Sequence, residues 1–395
     1  MYEVLRPWLF RLDPERAHAL GFIAARVAQT TARRAVRERY ASDHAVLRQQ
    51  LLGIDFKNPV GLAAGFDKNA RLLPFWQMLG FGFVEVGSVT ARRSRGSSRP
   101  RAFRLPADEA IINRMGLPNQ GAVRIAHRIR GIRMACQIPL GISIAKTPGS
   151  NLTGPEAVED YRKSFSLLAP LADYVALNIS CPNTADGRTF EDPRGLDDLL
   201  TAISYGQSDV PVVLKLSPPV SARVAFDSQV EEILAVGRAH GVSGYIASNT
   251  ATGGRGGLRT DPAVLAGIGS GGLSGPPLRA RTLQLVRYLF QRLGPGVPII
   301  GVGGIDTADA ACDMLRAGAS LVQLYTGLAY KGPELVRYIK EGLARRCEQD
   351  GLASVSDAIG MDAQADDRLS ETGCWTVVYA RHAGGSRTGQ ASLAQ

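Results

Sequence analysis

Seven consecutive residues, Asn178-Ile179-Ser180-Cys181-Pro182-Asn183-Thr184, gather two carboxamides, a thiol and two hydroxyls around one proline. They follow the apolar run Tyr174-Val175-Ala176-Leu177, which reads as a buried strand. Side chains alternate along a strand, so Asn178 and Ser180 share a face at its end, and Cys181 lies where the chain turns away. A carboxamide offers an acceptor and two donors without charge. The cluster therefore suits a planar ligand rich in N–H and C=O groups, with one atom beside it that must lose a proton. A thiol, whose ordinary pKa is about 8.5, takes such a proton near neutrality when nearby charge lowers that value. Ser180, if assisted, is the other candidate base. The plainer alternative is a polar strand cap over a buried thiol.

Other residues of this kind recur at the ends of apolar runs. Lys68 and Lys215 each follow one, and an ammonium in a buried mouth is costly unless it faces an anion. Both are therefore expected to touch ligand rather than reach out to solvent. Asn113 and Asn249 add two more uncharged hydrogen-bonding groups. No histidine among His18, His44, His127, His240 and His382 ends a strand, and no acidic cluster suggests a metal.

Something must bring these residues together. From residue 59 onward short apolar runs recur: Val60–Ala64, Phe83–Val89, Leu140–Ala145, Tyr174–Ser180, Val210–Leu216, Tyr245–Thr250, Ile299–Gly304 and Leu321–Thr326. Most intervals carry helical periodicity, as in 154–171, 229–240, 279–293, 307–317 and 333–347. Eight strands with crossover helices predict an α/β fold, a (β/α)8 TIM barrel. A doubly wound sheet is the alternative, but Gly61-Leu62-Ala63-Ala64-Gly65 lacks its glycine fingerprint. Residues 90–138 exceed a simple crossover, and 102–105 with 110–113 read as a hairpin over the barrel mouth. Glycine-rich ends after strands seven and eight, Gly301-Val302-Gly303-Gly304 and Tyr325-Thr326, suit a phosphate held by backbone N–H groups.

Composition sets the outer limits. At 395 residues and 45% hydrophobic the chain can bury a large core, and 44 glycines favour tight turns and close backbone approaches. A net charge of +10 permits anionic partners, but 7% aromatics and no nucleic-acid module argue against nucleic acid. Five cysteines without paired spacing predict neither disulfides nor zinc. No run suits a membrane span. Residues 1–45 read as a basic, amphipathic helical extension, with Asp13 as N-cap and Pro14 at the first helical position. It is expected to be either an interfacial membrane anchor or a cap on the domain. The barrel is placed at 46–349, and 350–395 read as a disordered tail.

Ala63-Ala64-Gly65-Phe66-Asp67-Lys68, Asn113-Arg114-Met115-Gly116, the heptad at 178, Gly272-Leu273-Ser274-Gly275 and Gly301-Val302-Gly303-Gly304-Ile305-Asp306 together resemble the dihydroorotate dehydrogenase family. The resemblance runs from about residue 5 to 350. Leu12-Asp13-Pro14-Glu15-Arg16-Ala17-His18 and Pro100-Arg101-Ala102-Phe103-Arg104-Leu105 resemble its membrane-associated, quinone-reducing class 2. This implies FMN in the barrel mouth, contacted by Ala64, Gly65, Phe66, Asp67, Lys68, Ser88, Ser143, Asn178, Lys215, Ser248, Gly275, Gly304, Tyr325 and Thr326. It implies dihydroorotate held by Lys68, Asn113, Arg114, Met115, Gly116, Leu117, Asn178, Asn183, Asn249 and Thr250. Cys181 would remove the C5 proton while hydride leaves C6 for the flavin N5, giving orotate for pyrimidine biosynthesis. A ubiquinone-type quinone would enter near His18 and Arg101. A monomer lying peripherally on the cytoplasmic face of the inner membrane is the expectation. Two features depart from class 2 habit: Cys181 stands where serine is usual, and Leu117 where phenylalanine is usual. The first leaves open a class 1-like soluble enzyme using fumarate. A phosphate-binding barrel isomerase or lyase without redox chemistry is the remaining enzyme alternative, and a non-catalytic scaffold is disfavoured by the intact polar cluster.

Overall fold

The computed structural model describes residues 2–40, 42–148, 152–180, 190–203, 209–219 and 228–363. The chain opens with helices α1 (Tyr2–Arg11), α2 (Pro14–Thr31) and α3 (Arg33–Tyr40), then a short antiparallel pair, β1 (Gln49–Leu51) and β2 (Ile54–Phe56). There follow β3 (Val60–Leu62), α4 (Leu73–Met78), β4 (Phe83–Val89), β5 (Ala102–Leu105), β6 (Ala110–Asn113), α5 (Ala122–Ile132), β7 (Leu140–Ile144), α6 (Gly154–Leu168) and β8 (Tyr174–Leu177). Next come α7 (Pro193–Ala202), β9 (Val212–Leu216), α8 (Ser228–Ala239), β10 (Gly244–Ala247), α9 (Pro262–Ile268), β11 (Gly272–Ser274) and α10 (Arg279–Leu293). The last elements are β12 (Ile299–Val302), α11 (Ala308–Arg316), β13 (Leu321–Leu324), α12 (Thr326–Lys331) and α13 (Glu334–Gln349).

β3, β4, β7, β8, β9, β10, β12 and β13 close into a parallel barrel in that order. The predicted (β/α)8 fold is therefore the observed one. The strands are mostly apolar because helices cover the outside and side chains fill the inside, with Glu85, Ser88, Ser143, Lys215 and Gln323 as buried polar exceptions. Phe56 of β2 packs edge-on against Phe83 at 5.5 Å, within an interior cluster that includes Tyr174, Val213, Ile246, Ile300 and Leu321. At the opposite mouth the predicted hairpin forms as β5 and β6. It gains a third strand, since Gly272 pairs antiparallel with Asn113 and Ser274 with Ile111. This small sheet, β5-β6-β11, stands beside the strand ends.

Asp13 caps α2 as predicted, its Oδ1 accepting from the N–H groups of Glu15 at 3.0 Å and Arg16 at 3.1 Å. Helix α2 then docks on the hairpin: Arg101 donates to Glu15 through Nε at 3.1 Å and Nη2 at 2.9 Å. Phe22 and His18 face inward, while Leu20, Ile23 and Val27 remain exposed. At the other end the expected tail boundary at 350 falls inside folded structure. Ser354 and Asp357 form a reciprocal cap on a 3-10 turn, Val355–Ala358. Arg316 holds Asp362 at 2.7 Å, and Ala363 is buried. Short polar residues concealed this segment because its anchors lie far away in the sequence. Residues 364–395 lie outside the described residues.

Candidate active site

The strand ends and the three-stranded sheet line a cleft whose empty space, including the part open to solvent, is about 1050 Å³. Of the positions named from the sequence, Ala64, Gly65, Lys68, Ser88, Asn113, Met115, Gly116, Leu117, Asn178, Lys215, Ser248, Asn249, Thr250, Gly275, Gly304, Tyr325 and Thr326 line it. Cys181, Asn183, Pro182 and Thr184 lie outside the described residues.

The polar wall is one connected network. Asn178 donates through Nδ2 to Ser88 Oγ at 2.9 Å, and Ser88 shares a hydrogen bond of 2.8 Å with Ser143. Asn249 Nδ2 reaches Asn178 Oδ1 at 3.1 Å and the Ser180 carbonyl at 2.9 Å. Each amide is thus fixed in rotamer and in direction before any ligand arrives. The Ser180 hydroxyl donates to the Lys215 carbonyl at 2.7 Å, which braces the end of β8 against β9.

Two cations face the cleft. Burial pushes the Lys68 ammonium down to about 8, with Glu15 opposing that shift, Arg101 adding to it and Asp67 opposing it. Its Nζ donates to the Gly65 carbonyl. Lys215 is buried, and burial lowers its pKa against the pull of Glu85. Among the described residues its ammonium makes no hydrogen bond, and Glu85 Oε1 lies 4.0 Å away. A buried donor group left this way is costly unless a ligand completes it.

The glycine-rich wall is built by close approach. Gly275 has φ +101° and Gly304 φ +72°, and a Cβ on Gly304 would come within 2.6 Å of Arg279 Cβ. Thr326 Oγ1 donates to Ser274 Oγ at 2.9 Å, and Arg279 Nε holds the Gly304 carbonyl at 2.7 Å. Backbone N–H groups in such a turn favour an anion.

Four residues expected at the ligand have other partners. Asp67 is buried, and its carboxylate accepts from the Arg71 N–H at 2.9 Å, the Leu72 N–H at 2.8 Å and Trp76 Nε1 at 3.1 Å. It ties the loop ahead of α4 to Trp76 of that helix, because a buried carboxylate is stabilised by just such donors. Phe66 packs among His18, Trp76 and Tyr325, with ring centroids 5.1, 5.5 and 5.4 Å away. Arg114 lies over the Phe103 ring at 4.7 Å and donates to the Ile268 and Ser270 carbonyls, so it staples the end of α9 to the small sheet. Ser143 is fully buried behind Ser88. His18 and Arg101 lie on the seam between α2 and the barrel mouth, but the Arg101 guanidinium is committed to Glu15 and to the Arg95 and Ser97 carbonyls.

Sequence reasoning passed over Gln323, Ser274 and Glu85. Gln323 and Ser274 line the cleft, and Glu85 lies beside Lys215. For Gln323 and Glu85 there was a signal, a polar residue interrupting the apolar runs Leu321-Val322-Gln323-Leu324 and Phe83-Val84-Glu85-Val86.

The family described as dihydroorotate dehydrogenase matches residues 46–347. Among curated proteins, the chain is 43% identical over 365 residues to the dihydroorotate dehydrogenase (quinone) of Rhodococcus opacus (strain B4), covering 92% of this chain and 99% of that one. It is 41% identical over 378 residues to the protein of the same name from Nocardia farcinica (strain IFM 10152), covering 94% and 100%. Among solved structures, DHODH from Eimeria tenella in complex with ferulenol superimposes with a TM-score of 0.77 at 31% identity, covering 89% of this chain and 96% of that one. With its barrel, its cleft and these relatives in agreement, the chain belongs to the dihydroorotate dehydrogenase family.

Proposed function

We propose that this protein oxidises dihydroorotate to orotate in pyrimidine biosynthesis, with FMN in the cleft and a quinone as final electron acceptor. The observation that carries the reading is the buried Lys215 ammonium, lining the cleft without a hydrogen bond among the described residues, beside the fixed Asn178–Asn249 pair. When bound, FMN supplies the redox chemistry by taking the hydride that leaves C6. Ser274, Gly275, Gly304, Tyr325 and Thr326 would hold its phosphate. Ala64, Gly65 and Ser88 would meet its ring, and Lys215 would face the side where negative charge develops on reduction.

The chain's own residues do the rest. Asn113, Asn178, Asn249 and Thr250, with Asn183 from the heptad, would hold the substrate's amide edges. Lys68, an ammonium desolvated enough to gain from an anion, would hold its carboxylate. Met115, Gly116 and Leu117 would cover it from the small sheet. Cys181 would take the proton from C5, and the small sheet would exclude water from that step.

For the acceptor, the extension supports a quinone delivered from a membrane surface. Val4, Leu5, Trp8, Ile23 and Val27 are all at least half exposed along α1 and α2, and arginines surround them. A basic helical face with bare apolar side chains suits peripheral association. Among the described residues no helix is long and apolar enough to cross a membrane. His18 and Arg101 mark the route from that face toward the cleft.

The test is direct. Purified protein is expected to be yellow, to release FMN on denaturation, and to turn over dihydroorotate faster with a soluble quinone than with fumarate. Protein that takes up no FMN, or a preference for fumarate, would overturn the reading.

A further inference from the structure

Beneath the cleft, four polar side chains meet inside an otherwise apolar barrel. Glu85 of β4 is completely buried. Its Oε2 accepts from the Tyr174 hydroxyl at 3.0 Å and from Gln323 Nε2 at 2.8 Å. Its Oε1 has no hydrogen-bond partner among the described residues and faces Lys215 Nζ at 4.0 Å. Tyr174 can cross the barrel to reach Glu85 because residue 141 is glycine; a Cβ there would run into the Tyr174 ring. Lys215 and Gln323 line the cleft, whereas Glu85 and Tyr174 lie behind them.

A carboxylate in this position costs more desolvation than a branched apolar residue, the usual filling of such a barrel. Removing one partner of a buried pair leaves the other charge uncompensated, so Glu85 and Lys215 depend on each other. Resting on the flavin reading above, we propose that Glu85 is a positioning residue. It keeps the Lys215 ammonium protonated and directed at the flavin, and Tyr174 and Gln323 hold Glu85 in turn.

Among the described residues Glu85 is the charged group within ion-pair distance of Lys215, and Lys68 is the other cation that lines the cleft. The other polar groups of this part of the cleft are neutral: Ser248 and Asn249 after β10, Gln323 of β13 and Asn178 after β8, with the Tyr174 phenol on Glu85 behind them. That phenol stays protonated, since burial and then Glu85 push its pKa well up. Burial lowers the Lys215 pKa, and Glu85 is the group that opposes it.

Replacing the carboxylate by an amide removes that opposition. In Glu85→Gln, Lys215 would lose its proton to solvent in the oxidised enzyme and take one back when the flavin gains its electrons and negative charge. The experiment measures the flavin midpoint potential of wild-type and Glu85→Gln holoenzyme from about pH 6 to 8, the range that a lysine reaches only when strongly depressed. The expected result is a lower potential in the variant toward high pH and a steeper fall with pH. Combining Glu85→Gln with Lys215→Met should abolish the extra slope. An unchanged potential, a raised one or a parallel shift overturns the proposal; a raised one would mean that Glu85 merely offsets charge. Should Glu85→Gln fail to hold flavin, the wild-type curve decides. No inflection that Lys215→Met removes is expected, and such an inflection overturns the proposal. Wild-type protein that takes up no FMN refutes the cofactor reading and its premise here, whereas flavin-loaded variants with unaltered potentials refute only the role of Glu85.

Discussion

The Asn249 carboxamide nitrogen stands 3.1 Å from Asn178 Oδ1 and 2.9 Å from the Ser180 carbonyl, so the end of β10 is tied to the end of β8 across β9. Two amides that would grip one substrate therefore orient each other. Asn249→Ala removes both bonds and takes the amide donor from Asn178 Oδ1, while Asn178 Nδ2 still donates to Ser88. Losing one to two hydrogen bonds of about 1.5 kcal/mol each predicts a drop of roughly 10- to 100-fold in kcat/KM for dihydroorotate. Steady-state kinetics at saturating quinone checks this, and bound flavin should be retained.

The base is tested by substitution at Cys181. Cys181→Ala is expected to retain FMN and lose reduction of the flavin by dihydroorotate, read by stopped-flow absorbance. Near-normal reduction would rule the thiol out. Cys181→Ser should need higher pH than the wild type for the same rate, since a hydroxyl is a far weaker acid than a thiol. Coincident pH–rate curves for the two proteins would contradict the assignment.

Asp67 should behave as a structural residue despite its place in the Gly65-Phe66-Asp67-Lys68 stretch. Three donors converge on its carboxylate, the N–H groups of Arg71 and Leu72 just ahead of α4 and the Trp76 indole. Asp67→Ala leaves those donors unpaired in a buried site and is expected to cost on the order of 2–4 kcal/mol. Denaturant unfolding measures the loss. The KM for dihydroorotate of the folded fraction should stay within a factor of about three, a small difference on the free-energy scale.

His18 predicts a loss of stability in acid. Burial, assisted by Lys68, holds its pKa down to about 4 from the ordinary 6.5, against a backbone hydrogen bond to Phe66. The unfolded chain therefore binds this proton more readily than the folded one. The stability linked to His18 is fully present above about pH 6.5 and is lost as pH falls toward 4. After allowance for solvent screening of a half-buried ring it amounts to on the order of 2 kcal/mol. Thermal unfolding from pH 7 to 4 should show the wild type losing more stability than His18→Phe, which keeps the contacts with Phe22 and Phe66 but cannot titrate.

The sequence carried most of the architecture, because eight apolar runs and their intervening periodicity leave few alternatives. The hairpin at 102–105 and 110–113 was legible from Pro106 and its polar neighbours between two short runs. The apolar runs overextend the strands at Ala64, Thr250, Gly304 and Thr326, where the chain leaves the ladder and lines the cleft. What local reading misses is pairing across the barrel. Glu85 meets Tyr174 from 89 positions away and Gln323 from 238. Asp67 is a related case: a carboxylate beside a lysine reads as ligand chemistry, while its donors, the Arg71 and Leu72 N–H groups and Trp76, show only in the fold.

The most direct measurement is an anaerobic titration of the purified, flavin-loaded protein with dihydroorotate, followed by a soluble quinone. The account predicts bleaching of the oxidised flavin band by about one equivalent of dihydroorotate, as a two-electron transfer requires. Adding quinone should then restore the band. A flavin band that dihydroorotate leaves unchanged would contradict it.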